Sequence, residues 1–284
     1  MFASLTITVP TTLSGLTINE LLQNKWLLSS SVIEQLQREK RIVVDGHKHF
    51  DWKTYTVTDN SQIEISLPIP FDFPVVPTEF PLTILYEDEH VIIVNKIEGR
   101  LALAVDETSK NTLQNGVEAY LRSQEHPLFH AYAIHDLEQD ISGAVIFAKH
   151  PLILNLLLHQ LQQKQLYGVY WTKVDSVMEG TYGKIQASIS EEHDEINAKG
   201  TKAITHYEII KRDRAANTSI LEITIDTAIK HQIRLHLDSI GYPIKKITIA
   251  GMKRPLLHLK ELHFHHPFMD QFVKASTPIP FEFE

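Results

Sequence analysis

The chain contains no cysteine. That absence excludes disulfides, Cys-ligated zinc, iron–sulfur clusters and thiol nucleophiles, and it fits a cytoplasmic protein. Long apolar runs are missing too: Val91 to Val94 and Leu152 to Leu158 fall far short of the ~18–20 residues a membrane helix needs. The start, Met1-Phe2-Ala3-Ser4, lacks a basic stretch followed by an apolar one, so no secretion signal is expected. Positive charge is scarce, with 27 Lys and Arg against 35 Asp and Glu, a net charge of −8. That balance argues against a protein gripping nucleic acid mainly by electrostatics, because phosphates are met by Lys and Arg. Also absent are a Gly-rich dinucleotide loop, a P-loop, a Gly-x-Ser-x-Gly elbow and His-Glu-x-x-His. The common nucleotide, hydrolase and zinc-protease readings lose their support.

What is present points to an ordinary globular chain. Its 284 residues allow one or two domains, and a 43% hydrophobic fraction is enough to bury a core. Residues 1–68 read as a small unit of two helices followed by short strands. Leu16 to Leu22 and Ser29 to Glu39 have helical spacing, with Ser29, Ser30 and Ser31 as caps for the second. Arg41 to Gly46 reads as a strand entering an Asp-Gly hairpin turn. Tyr55-Thr56-Val57 and Gln62 to Ile65 alternate as strands. Residues 69–80, rich in proline, read as a semi-rigid linker. Residues 81–284 then form one larger domain. Seven strand-like segments and only three helical ones, Thr112 to Ser123, Leu152 to Gln163 and Lys230 to Ile240, predict an α+β fold with a mixed, largely antiparallel sheet.

Three segments carry the chemistry. The acid-rich loop His135-Asp136-Leu137-Glu138-Gln139-Asp140-Ile141-Ser142-Gly143 precedes a buried strand. Such a loop suits an active-site carboxylate, and a solvated turn is the bland alternative. Gln165-Leu166-Tyr167-Gly168-Val169-Tyr170 places two tyrosines at the start of a strand; plain aromatic core is the alternative. In Thr227 to Leu237, Lys230 and Arg234 stand four apart, as do Gln232 and His236, so each pair shares a helix face. A buried arginine there needs a carboxylate partner. Sixteen histidines invite a metal reading at His258, His263, His265 and His266. No acidic pair completes such a site, and polar strand positions are the default. No metal is expected.

In this order the segments resemble the RluA/RluD family of RNA pseudouridine synthases, over nearly the whole chain. Ile84 to Glu89, Asn95-Lys96 and Gly99 match the opening of the family's catalytic domain. His135 to Gly143 matches His-Arg-Leu-Asp-x-x-Thr-Ser-Gly, and Gln165, Tyr167 and Val169 match Lys-x-Tyr-x-Ala. Thr227 to Arg234 matches Thr-Gly-Arg-x-His-Gln-Ile-Arg, followed by Gly241-Tyr242-Pro243-Ile244 and a closing segment from Leu257 to Pro267. The first unit is similar to the alpha-L RNA-binding domain of many members. The resemblance implies isomerisation of uridine to pseudouridine in rRNA or tRNA, on a nucleotide flipped out of its helix, without cofactor. It implies a carboxylate nucleophile at Glu138, an ion-pair partner at Arg234 and a base-stacking, proton-handling phenol at Tyr167. His135, Asp136, Gln139, Lys230, His231 and Gln232 are the expected substrate contacts. RNA is the expected partner, with no membrane, and the expected state is a monomer.

The departures from the family pattern sit in those same segments. Glu138 stands where the family has aspartate, Asp136 where it has arginine and Ile141 where it has threonine. Ala228-Ile229 replaces Gly-Arg, and Gln165 replaces lysine. Asp136 and Asp140 rank behind Glu138 as nucleophiles. The first unit has six basic residues against seven acidic ones, a poor balance for holding phosphate. The competing expectation is therefore a catalytically inactive member that serves as an RNA- or protein-binding module.

Overall fold

A computed structural model describes residues 2–48, 51–69, 74–249 and 251–283. Part of the proline-rich stretch, residues 70–73, lies outside the described residues. The N-terminal unit contains β1 (Phe2–Thr8), α1 (Ile18–Glu20), α2 (Ser30–Arg38), β2 (Ile42–Val44) and β3 (Gln62–Pro68). Its three strands form an antiparallel sheet in the order β1-β3-β2. Leu5, Ile7, Ile63 and Ile65 point inward on alternate positions, against Ile18, Leu21, Leu22 and Trp26. Thr17 and Glu20 form a capping box at α1, and the Ser29 hydroxyl accepts from the Val32 amide at α2. These side chains satisfy orphan amides that a helix start leaves free. After Val44, Asp45 and Gly46 both have positive φ, the geometry of a tight hairpin turn.

Two expectations for this unit need correction. β1 is a seven-residue strand that the sequence pattern does not reveal, because Thr-rich alternation beside the terminus reads as polar coil. Tyr55 to Val57 forms no strand and pairs only as an isolated bridge, Thr17 with Thr56. Its backbone bonds go to the segment before α1 instead: Ile18 N–H donates to Tyr55 O at 3.0 Å and Val57 N–H to Leu16 O at 2.9 Å.

The larger unit runs through β4 (Ile84–Glu87), β5 (Val91–Lys96), α3 (Leu113–Ser123), β6 (Tyr132–Ala133), β7 (Ser142–Ala148), α4 (Pro151–Gln162) and β8 (Tyr167–Val174). It continues through β9 (Tyr182–Ser190), β10 (Glu195–Ile196), β11 (Thr201–Asp213), β12 (Thr218–Ile225) and α5 (Gln232–Ser239). β13 (Lys246–Ile249), β14 (Met252–Pro255), β15 (Leu257–His265) and β16 (Phe272–Ser276) complete it. The main sheet follows the order β10-β9-β11-β12-β8-β15-β7-β5-β4, with β6 and β16 off that path. Its pairs are antiparallel except β15 with β7, so the fold is α+β with a mixed sheet. β7, buried at every position, lies between β15 and β5, and the acidic loop feeds directly into it. Gly143 is required there: its φ is +134°, and a Cβ would lie 2.6 Å from Leu259 N and 2.7 Å from Leu259 Cα on β15. The two units meet where the Trp26 and Phe268 rings pack edge-on, 5.3 Å apart. No described helix is long and apolar enough to cross a membrane.

Candidate active site

The loop before β7 is held from both sides. Leu137 and Ile141 are buried, so the residues between them turn outward. Beneath, the fully buried Lys96 ammonium donates to the carbonyls of Ile97, Arg100 and Gln139, at 3.3, 2.8 and 3.0 Å. Burial pushes that lysine down to about 8, against the pull of Asp136, Glu98 and Asp140. Gln139 exchanges two hydrogen bonds with Gly99, through its carbonyl and its side-chain amide. His135 accepts from the Ile146 amide through Nε2 and meets the Asp136 carbonyl through Nδ1, both at 3.3 Å. Burial pulls His135 below its ordinary value, consistent with a neutral ring serving as a brace.

The opposite wall is the start of α5. The Gln232 side chain is buried and uses both ends: Oε1 accepts from Thr227 Oγ1 and Ile229 N–H, while Nε2 donates to Ile204 O and Thr205 Oγ1. His231 adopts a left-handed conformation, φ +57°, which ends the extended approach and starts the helix at Gln232. The predicted helix start at Lys230 is therefore two residues early. The turn brings the His231 amide to 3.3 Å from Glu138 Oε1 and its ring Nε2 to 3.4 Å from Glu138 Oε2.

Between the walls lies a cavity of about 490 Å³, lined in part by Asp136, Glu138, Tyr170, Lys230, His231 and Arg234. Its size falls within the usual range for small-molecule sites, roughly 300–1,000 Å³. Residues separated by almost a hundred positions thus share one space, and the carboxylate at Glu138 faces it.

Residues 90–239 match the sequence profile of the RNA pseudouridylate synthase family, and residues 5–61 match that of the RluD ribosomal pseudouridine synthase N-terminal domain. The chain belongs to the RNA pseudouridylate synthase family. An uncharacterised RNA pseudouridine synthase of Bacillus subtilis, YhcT, is 28% identical over 281 residues, 93% of this chain and 92% of the relative. Ribosomal large subunit pseudouridine synthase D of Xylella fastidiosa is 31% identical over 232 residues, 72% of this chain and 68% of the relative. Among solved structures, human RNA pseudouridylate synthase domain containing 4 shares the fold with a TM-score of 0.57 at 16% identity. It covers 71% of this chain and 90% of its own.

In this pseudouridine synthase-family site, seven of the predicted residues line the cavity: His135, Asp136, Glu138, Lys230, His231, Gln232 and Arg234. Two do not. Gln139 faces away to brace Gly99. Tyr167 is exposed outside the cavity, with its ring stacked on His263 at 4.9 Å. Tyr170 takes the cavity position instead. The physical reason is strand parity: successive side chains alternate faces, so residues three apart on β8 point to opposite sides. Burial, followed by the charge of Glu138, pushes Tyr170 up to about 12.

The predicted Glu138–Arg234 pair is also corrected. Arg234 Nη2 reaches Asp194 Oδ2 at 2.6 Å, and the other Asp194 oxygen lies 2.6 Å from His231 Nδ1. Burial favours the neutral form of Asp194, but its hydrogen bonds to His231 and Arg234, with the Arg234 charge, outweigh that and hold it below the ordinary carboxylate value. The result is a chain, Glu138–His231–Asp194–Arg234. Asp194 sits on the turn between β9 and β10, in a run, Glu191-Glu192-His193-Asp194, that reads locally as a solvated turn. No signal in the sequence ties it to α5. Of the histidines considered for metal, His258 meets Ser142 and Thr277, His263 meets Glu261, and the His265 ring packs on Phe272. His266 lies 3.2 Å from Asp88.

Proposed function

We propose that this protein isomerises uridine to pseudouridine in a structured rRNA or tRNA, with Glu138 as the acting carboxylate. The observation carrying the reading is that Glu138 faces a nucleoside-scale cavity with Tyr170, Lys230 and Arg234 on its walls. Carboxylate attack detaches uracil from ribose through N1, and the base turns and rejoins through C5. Tyr170 offers the base a ring to lie against, and its phenol stays protonated. Glutamate extends the acid by roughly 1.5 Å relative to aspartate, a displacement large enough to matter where ~1 Å can cost 10²-fold. Here the longer side chain is steadied by the His231 amide and ring. Lys230, on the cavity wall, would meet a phosphate flanking an everted nucleotide.

We also propose the division into residues 1–68, a linker at 69–80 and a catalytic unit at 81–284. With RNA as substrate, we place the protein in the cytoplasm, acting as a monomer. One observation favours the inactive, RNA- or protein-binding alternative: Arg234 is engaged by Asp194 and not by Glu138. The test is incubation with rRNA and tRNA transcripts, digestion to nucleosides and chromatography. Pseudouridine formed by the wild type and lost in Glu138→Gln supports the enzyme. No pseudouridine from any transcript supports the binding module.

A further inference from the structure

Isomerisation carries a proton requirement that the cavity phenol is poorly suited to meet. When C5 bonds to C1′, the base holds a hydrogen on C5 and a double bond between N1 and C6. The C5 proton must leave and N1 must gain one. Tyr170 sits at about 12, five units above pH 7, so only about one phenol in 10⁵ is ionised there.

We propose that His231 is the catalytic proton acceptor of this step, and that Asp194 is the residue that positions it. The inference rests on the function proposed above. His231 lines the cavity, and its ring lies between two carboxylates, Asp194 at Nδ1 (2.6 Å) and Glu138 at Nε2 (3.4 Å). A proton on Nδ1, donated to Asp194, leaves Nε2 unprotonated beside Glu138, whose carboxylate stabilises the imidazolium once Nε2 takes a proton. This is the logic of an acid that fixes the tautomer and aim of an imidazole, and an imidazole both takes and releases a proton near neutral pH. The backbone contributes as well, since the left-handed turn at His231 aims amide and ring at the same carboxylate. Arg234 holds the far oxygen of Asp194, so the positioning acid is fixed in turn.

The step balances without a co-reactant. Nε2 takes the C5 proton. The C5–H electron pair forms the C5–C6 double bond, and the N1–C6 π pair moves onto N1. N1 then takes the proton from the imidazolium, leaving His231 neutral and the base as pseudouridine. One proton has moved from C5 to N1.

The test uses the full chain and a transcript the wild type modifies. His231→Gly suits the positive φ, and His231→Asn tolerates it too while retaining polar groups that can reach Asp194. Both are expected to lower kcat on the order of 10²-fold, with KM changed by less than about threefold. Imidazole added to His231→Gly should restore at least about tenfold. Asp194→Asn should lower kcat by roughly tenfold and move the ring proton of His231 from Nδ1 towards Nε2 in ¹⁵N spectra. Three results overturn the inference: wild-type turnover in His231→Gly, loss that imidazole leaves unrescued, or an unchanged tautomer in Asp194→Asn. Each of these leaves the proposed function standing provided that Glu138→Gln is inactive. A wild type that makes no pseudouridine overturns that function, and this inference with it.

Discussion

The junction of β7 with β15 makes a quantitative demand on one glycine. In Gly143→Ala the new methyl group meets the backbone O, N and Cα of Leu259, the latter two at 2.6 and 2.7 Å, on a residue whose φ is +134°. Backbone atoms of a paired strand cannot step aside as a side chain end can. Overpacking a close contact costs about 1–3 kcal/mol, and the disallowed φ adds about 1–3 kcal/mol. The sum, roughly 2–6 kcal/mol, is a large share of the 5–15 kcal/mol that typically holds a protein folded. Gly180→Ala separates the two contributions: φ there is +82°, and nothing lies within 4 Å of the added atom. Urea unfolding should show the Gly143→Ala midpoint falling well below that of Gly180→Ala, with the slope m unchanged. Equal losses in the two variants would refute the steric argument. Because Gly143 also pairs with Lys96, whose ammonium braces the Glu138 loop, the folded fraction of Gly143→Ala should also turn over more slowly.

The corrected phenol assignment predicts that Tyr167→Ala leaves pseudouridine formation within about twofold, whereas Tyr170→Ala lowers kcat/KM at least tenfold; the reverse pattern restores the original alignment. His90 and His258 are buried, which pulls each down to about 4. Between pH 6.5 and 4 the unfolded chain binds protons that these folded rings refuse, so stability falls as pH drops through that window. At 1.36 kcal/mol per unit the loss is about 3 kcal/mol per ring. Urea midpoints from pH 7 to 4 should fall steeply, and less steeply in His258→Gln; a flat profile contradicts the reasoning. Trp26→Ala removes the edge-on contact with Phe268 and should cost about 3–5 kcal/mol, read as a lower melting temperature and earlier proteolysis around residues 69–80. Unchanged melting and cleavage would show that the two units are coupled elsewhere.

Much of the scaffold was legible because period and punctuation were strong. β12 appears at the residues predicted, Thr218–Ile225, and α3 and α4 within one residue of prediction. β6, β9, β10, β13, β14 and β16 were missed; Tyr182 to Ser190, for one, mixes polar and apolar residues next to the sheet edge. At the site, motif order brought Glu138, Lys230, His231 and Arg234 to one cavity. The error at Tyr167 came from aligning a short motif by letter without using strand parity to sort the two tyrosines by face. Asp194 was invisible for a different reason. Its role is set by the β9–β10 turn folding over α5, a contact between residues about forty apart, and nothing in a run of surface acids announces it.

The central claim is that Glu138 acts on a uridine everted into the cavity it shares with Tyr170 and His231. Tritium release from RNA labelled at uracil C5 tests it most directly, because that hydrogen must depart when C5 becomes bonded to the ribose. The wild type should release tritium in step with pseudouridine formed, and Glu138→Gln should release none. Release that persists in Glu138→Gln would contradict the account.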